Sequence, residues 1–202
     1  WSWQKVMGGE AAHGMLVLGP RAIERLESYT PPWPLPKVFR LTKGGKLDKD
    51  LFEGITINTP SMLCVEDALN SLKWAASIGG LSSLIDRIEA NSTVTYEWAK
   101  ASTWVDFLAR EPSTRSKTSI ALTIVDPWLK KQDQEFQHNI GRSLSSLLDD
   151  EGAAFDIANH IAAPPGLRLW NGATVETSDL EALFPWLDWA WSILKIKGTK
   201  KD

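Results

Sequence analysis

Four prolines within six residues, Pro31, Pro32, Pro34 and Pro36, constrain this chain more than any other stretch. Each ring fixes φ and removes an amide donor, so Thr30–Pro36 is neither helix interior nor central strand. It reads as a rigid, extended connection. Before it, Met15–Leu18 has the short apolar run of a buried strand, and Gly19-Pro20 opens a helix with proline at its favoured first position. Ala22, Ile23 and Leu26 supply that helix's apolar face. After it, Arg40–Lys46 reads as a basic loop carrying two glycines, and Phe52–Ile57 as a short extended segment.

Thr59-Pro60 has the form of an N-cap followed by proline, starting a helix that runs to about Ile78 and stops at Gly79-Gly80. A second helix is predicted over Leu81–Ala101, weakened in its middle by Asn91, Ser92 and Thr93. The Asn91-Ser-Thr sequon there is a chance match within a helix. The texture then changes. Trp104–Leu108 and Thr118–Val125 are rich in the branched and aromatic residues of strands. Glu135–Asp150 places Phe136, Ile140, Leu144, Leu147 and Leu148 on one helical face, ended by Gly152. Ala154–Ile157 and Gly166–Trp170 read as strands. Ser178–Glu181 reads as a capping box for a last helix with Leu180, Leu183, Phe184 and Leu187 inward. Lys195–Asp202 reads as a solvated, frayed charged tail. The order of elements predicts two units, 1–79 and 80–202, the second an α+β layer with helices on one face of a small sheet.

Composition narrows the chemistry. A net charge of −3 gives no nucleic-acid footprint. No apolar run approaches the ~20 residues of a membrane span. The single cysteine, Cys64, excludes an intrachain disulfide and fits a reducing compartment, the cytoplasm. His13, His138 and His160 lack a partner at metal-ligand spacing, so no metal site is expected. Lys43-Gly-Gly-Lys46 is not a phosphate-binding P-loop, and no Gly-x-Ser-x-Gly elbow occurs. Eleven tryptophans point to a large core or a subunit interface.

Three segments carry candidate chemistry. Ser2-Trp-Gln-Lys5 lies between an apolar start and Gly8-Gly9, where a lysine is either a surface charge or a reactive amine. Asn58-Thr59-Pro60-Ser61-Met62 puts an amide, a hydroxyl and free backbone N–H groups at a helix start, as an ordinary cap or an anion site. Gly166-Leu-Arg168-Leu-Trp-Asn171 puts an arginine between apolar strand residues, where a structural ion pair or a carboxylate ligand would account for it.

Together these segments resemble the phosphoserine aminotransferases, fold-type I enzymes dependent on pyridoxal 5′-phosphate, and the Ser2–Gly14 stretch resembles their alphaproteobacterial form. The resemblance runs from Ser2 to about Trp191. It implies an α/β fold: the end of the large cofactor-binding domain, followed by a small C-terminal α+β domain. It implies transamination between 3-phosphohydroxypyruvate with glutamate and 3-phosphoserine with 2-oxoglutarate. Lys5 would be the cofactor-binding, proton-moving amine, partly buried, with Gln4 beside it. Asn58 and Thr59 would reach the neighbouring subunit's cofactor phosphate in a homodimer. Arg168 would hold the substrate α-carboxylate. The family's basic residue upstream of that arginine falls on Ile161 or Ala162 here, so His160, or Arg40 and Lys43 with Lys46, would hold the substrate's phosphate. The family's ring-stacking tryptophan, its aspartate and part of its phosphate cup belong to an N-terminal half with no equivalent in this sequence, so the chain is expected to be the C-terminal half. Another aminotransferase of the same fold, for example one using glyoxylate, or a non-catalytic dimerising fragment that needs the N-terminal half, fits the same residues.

Overall fold

The computed structural model describes residues 1–199 and divides the chain into two compact units, Trp1–Trp74 and Ala75–Asp202. The fold is a mixed one of helices and antiparallel strands.

In the first unit, α1 (Pro20–Ser28) begins with proline in its first turn, as the sequence predicts. The basic loop is instead a hairpin: β1 (Thr42–Lys43) pairs antiparallel with β2 (Lys46–Leu47). Gly44 and Gly45 turn it at φ +61° and +78°, a left-handed pair open to glycine at little cost. The hairpin is clasped to α1 by Glu27, which accepts the Leu47 amide at 3.0 Å and the Lys46 ammonium at 2.9 Å. The Leu47 amide first, then Lys46, holds this carboxyl below its ordinary range.

Met15–Leu18 is not a buried strand. It is extended chain with Val17 86% exposed, joined only to Trp1 by reciprocal backbone bonds of 2.6 and 2.8 Å. An apolar run becomes a central strand only beside others, and none pairs with it among the described residues. Phe52–Ile57 likewise forms no strand: a short 3₁₀ turn covers Lys49–Phe52. The following helix, α2 (Met62–Ser77), starts later than Thr59-Pro60 predicts. Ser61 is its cap, since Ser61 Oγ accepts the Cys64 amide at 3.5 Å and Ser61 O the Val65 amide at 3.2 Å. Cys64 and Ala68 form the buried stripe of α2 within this unit.

The second unit holds α3 (Gly80–Ala101), β3 (Val105–Phe107), β4 (Ser119–Ile124), α4 (Gln134–Asp150), β5 (Gly166–Trp170) and α5 (Thr177–Thr199). The three strands form one antiparallel sheet in the order β3-β4-β5. Val105, Phe107, Ile120, Leu122, Leu167 and Leu169 alternate onto one face and join Ile140, Leu144, Leu148, Leu180 and Leu187 in a single core. Trp104 stacks on Trp191 at 5.1 Å, and Trp98 on Phe184 at 5.0 Å. Asp188 receives the indole N–H of Trp104 at 2.7 Å. These tryptophans build the core, while Trp1 and Trp33 remain exposed.

Three expectations are corrected here. Ala154–Ile157 is not a strand: Asp156 takes a left-handed φ of +51°, and pairing with β5 shrinks to a bridge between Ala158 and Leu167. The last helix starts at Thr177, so Ser178 lies inside it and the Glu176 carbonyl accepts the first amide, from Asp179. The charged tail stays helical to Thr199, anchored where Lys195 meets Asp126 at 2.8 Å; residues 200–202 lie outside the described residues.

Candidate active-site residues

Lys5 sits in a tight turn. Its carbonyl accepts the Gly8 amide at 2.9 Å, and the Trp3 carbonyl accepts the Gly9 amide at 3.0 Å. Gly9 is buried against Trp3, whose Cδ1 would lie 2.7 Å from any added Cβ, so this turn admits no larger residue without moving the indole. The Lys5 and Gln4 side chains are both exposed, which corrects the expectation of a partly buried amine. Beside them, Ser2 Oγ and Trp3 Nε1 are buried without a hydrogen-bond partner. A buried donor of this kind is rare and demands an explanation.

Three contacts fasten this turn and its continuation to α2. Ser71 Oγ donates to the Met7 carbonyl, Cys64 Sγ lies 3.6 Å from Glu10 Oε2, and the Ser61 amide donates to His13 Nε2 at 3.0 Å. The last brings the Lys5 loop to the segment that carries Asn58 and Thr59. Both of those residues are exposed. The Asn58 carbonyl accepts Thr56 Oγ1 at 2.6 Å, which shapes the approach to the helix. Of the two candidate cations from the basic segment, Arg40, ahead of β1, directs its Nε to the Leu35 carbonyl at 2.7 Å, and Lys43 is exposed. Neither is joined to the Lys5 loop by a hydrogen bond among the described residues.

In the second unit Arg168 lies on the sheet face opposite the core, in register with Ala121. Its amide donates to the Ile157 carbonyl at 2.7 Å. Its guanidinium meets Asp156 at 3.5 Å, a loose and solvent-screened pair. Arg168 and His160 line one cleft of about 540 Å³ with Asn159, Asp156 and residues of α4. His160 Nδ1 accepts the Ala162 amide at 3.2 Å, which assigns the ring proton of the neutral imidazole to Nε2 as a free donor. Asn159 Nδ2 donates to Leu122 O and Pro164 O, pinning the loop that carries His160.

Sequence reading missed Arg142, Ser145 and Ser146 in the same cleft. They project from α4 at i, i+3 and i+4 as ordinary polar residues, Arg142 and Ser146 exposed and Ser145 half-buried, and only the end of β5 brings them into one cleft with Arg168. Asp149, one turn further on, is the cleft's other carboxylate besides Asp156. The arrangement offers two guanidinium groups, an imidazole N–H and two hydroxyls as donors for a small acid. Among the described residues no grouping of His, Cys, Asp and Glu could hold a metal ion, and no helix is long and apolar enough to cross a membrane.

No family model matches the chain. A phosphoserine aminotransferase of Methanosarcina mazei is 50% identical over 195 residues, 96% of this chain and 50% of its own length. One from Methanosarcina barkeri is 51% identical over 195 residues, with the same coverage of 96% and 50%. Both are archaeal, so the alphaproteobacterial likeness of the Lys5 segment is not carried by them. A PLP-bound phosphoserine aminotransferase structure from Trichomonas vaginalis superposes with a TM-score of 0.56 at 15% identity, over 69% of this chain and 36% of that one. The chain spans about half the length of the curated relatives it matches. Along 96% of its own length, and half of theirs, it is homologous to the phosphoserine aminotransferases.

Proposed function

We propose that this chain carries the amine and the carboxylate-binding residues of a phosphoserine aminotransferase, which interconverts 3-phosphohydroxypyruvate and glutamate with 3-phosphoserine and 2-oxoglutarate in serine biosynthesis. Half-identity to enzymes of that name over 195 residues is the observation that carries the reading. On it, residues 1–79 are the end of the large domain with a dimer-interface segment, residues 80–202 are the small domain, and the chain corresponds to the family's C-terminal half. The enzyme is placed in the cytoplasm, in keeping with its lone Cys64.

Pyridoxal 5′-phosphate, when bound, supplies the electron sink for bond-breaking at the substrate α-carbon. The residues present are compatible with such a group: the Lys5 amine is exposed, and the Ser2 hydroxyl and Trp3 indole N–H, three and two residues earlier in the chain, have no hydrogen-bond partner. Lys5 Nζ is assigned to the aldehyde and to carrying the proton that leaves the α-carbon. Gln4 lies beside it. Asn58 and Thr59, exposed before α2, are donors for the phosphate of a neighbouring subunit in a homodimer. Arg168 orients both substrates by their shared α-carboxylate through a planar, two-point contact. His160 and Arg142 face the substrate's second anionic group, with Arg40 and Lys43 as the alternative donors.

Trapping tests this. The chain is incubated with pyridoxal 5′-phosphate, reduced with borohydride and mapped by peptide mass. The label is expected on Lys5 and absent from Lys5→Ala. A folded chain labelled only at scattered surface lysines would count against it. Assays with phosphorylated keto acid and with glyoxylate separate this enzyme from a glyoxylate-using relative. The exposure of Lys5 favours a second reading: a dimerising segment whose amine works only within a longer enzyme. Activity gained on adding the family's N-terminal half would distinguish the two.

A further inference from the structure

We infer that His13 is a positioning residue that locks the Lys5 loop to the Asn58–Ser61 segment. The inference rests on the roles proposed for Lys5, Asn58 and Thr59. The Ser61 amide is one of the donors that a helix start leaves without an intrahelical acceptor. His13 Nε2 takes it at 3.0 Å, so the neutral ring carries its proton on Nδ1. The same ring stands edge-on to Trp3, with centroids 5.1 Å apart and planes at 77°. Trp3 in turn binds Gly9 through its carbonyl, two residues before Lys5, and packs on the Gly9 Cα. A short relay results: the turn holding Lys5, the Trp3 indole, the His13 imidazole, the Ser61 amide.

The other two fastenings, Glu10 to Cys64 and Met7 to Ser71, meet α2 further along. Cys64 lies in its first turn and Ser71 in its middle. His13 holds the residue that caps it, two residues from Thr59. A reactive amine needs the groups around it fixed to within about half an ångström, and a turn of exposed residues cannot supply that alone. Its contacts are the Ser61 amide and the Trp3 ring, with no hydrogen bond to Lys5 among the described residues, so it acts through the two backbone segments it joins.

The test uses the 202-residue chain with three proteins. His13→Phe keeps a ring against Trp3 and removes the acceptor. His13→Gln replaces the acceptor with an amide oxygen of similar reach. Amide hydrogen exchange is read at Ser61, Gly8 and Gly9, and borohydride trapping of pyridoxal 5′-phosphate is read at Lys5. In His13→Phe, exchange is expected to rise roughly five- to tenfold at all three amides together, with slower trapping at Lys5. His13→Gln should stay near wild type on both. Faster exchange at Ser61 alone, or a folded His13→Gln that behaves as His13→Phe, overturns the inference. If His13→Phe does not fold, His13→Ala gives the same comparison. A wild-type chain that traps nothing at Lys5, yet shows the linked exchange, defeats the proposed function and supports the coupling.

Discussion

Asn91 and Asn171 bind each other reciprocally: the Asn171 side-chain amide donates to the Asn91 carbonyl at 2.9 Å, and the Asn91 amide to the Asn171 carbonyl at 3.4 Å. Both are almost fully buried, at 1% and 0% exposure. Asn91 Nδ2 also donates to Gly172 O and Val175 O, and Asn91 Oδ1 accepts Thr177 Oγ1 at 2.7 Å. One side chain of α3 therefore satisfies the backbone that leaves β5 and enters α5. The polar middle that weakens this helix on paper is what joins it to the sheet.

Asn91→Ala should leave those buried carbonyls without a donor. Loss of about 2–3 kcal/mol is expected, with a fall in melting temperature of roughly 5–10 °C. Thermal and urea melts of the chain measure it. A loss within ~0.5 kcal/mol would mean that water replaces the amide.

Gly141→Ala should destabilise, although glycine to alanine within a helix normally gains about 1 kcal/mol. An added Cβ would lie 2.4 Å from the Gly166 carbonyl oxygen, and that backbone atom belongs to β5. The expected loss is roughly 1–3 kcal/mol. Urea denaturation gives the sign directly, and a gain in stability would disprove the close packing of α4 on β5.

Asp126 ties the turn after β4 to α5, accepting Lys195 Nζ at 2.8 Å, Trp191 Nε1 at 3.1 Å and the Trp128 amide at 2.9 Å. Burial pushes its carboxyl up. The Lys195 ammonium, the Trp128 amide and the Trp191 indole outweigh that and hold it below the usual aspartate value. A carboxylate depressed in the folded state contributes stability above its unfolded pKa of about 3.9 and loses it as pH falls through the lower folded value. Asp126→Asn should cost about 1–3 kcal/mol at neutral pH. Its deficit against wild type should shrink below about pH 4, where denaturation at a series of pH values would show the two curves converging.

On the proposed assignment, Arg168→Lys keeps the charge and loses the planar grip. kcat/KM is expected to fall about a hundredfold for the amino donor and for the keto acid alike, because both present the same carboxylate. Steady-state assays of each half-reaction measure it. A loss confined to one substrate would move Arg168 from the shared α-carboxylate to a feature of that substrate alone.

The sequence by itself determined where the chain can and cannot be regular. The prolines of Thr30–Pro36, the branched run of β4 and the apolar period of α4 act over a few residues, and the elements they mark stand where expected. It also marked Arg168 as an arginine needing a reason. Only the tertiary structure decided which polar groups meet. Thr59 and Ser61 are both good caps by residue type, and the helix begins after Ser61, where Ser61 Oγ takes the Cys64 amide and the Ser61 amide meets His13, 48 residues away in sequence. Lys195 reads as a frayed tail until Asp126 lies beside it, and Arg142 reads as surface until β5 brings Arg168 into the same cleft. Local pattern encodes backbone preference and burial, whereas a hydrogen bond or ion pair depends on ångström-scale distances that only the packed chain fixes.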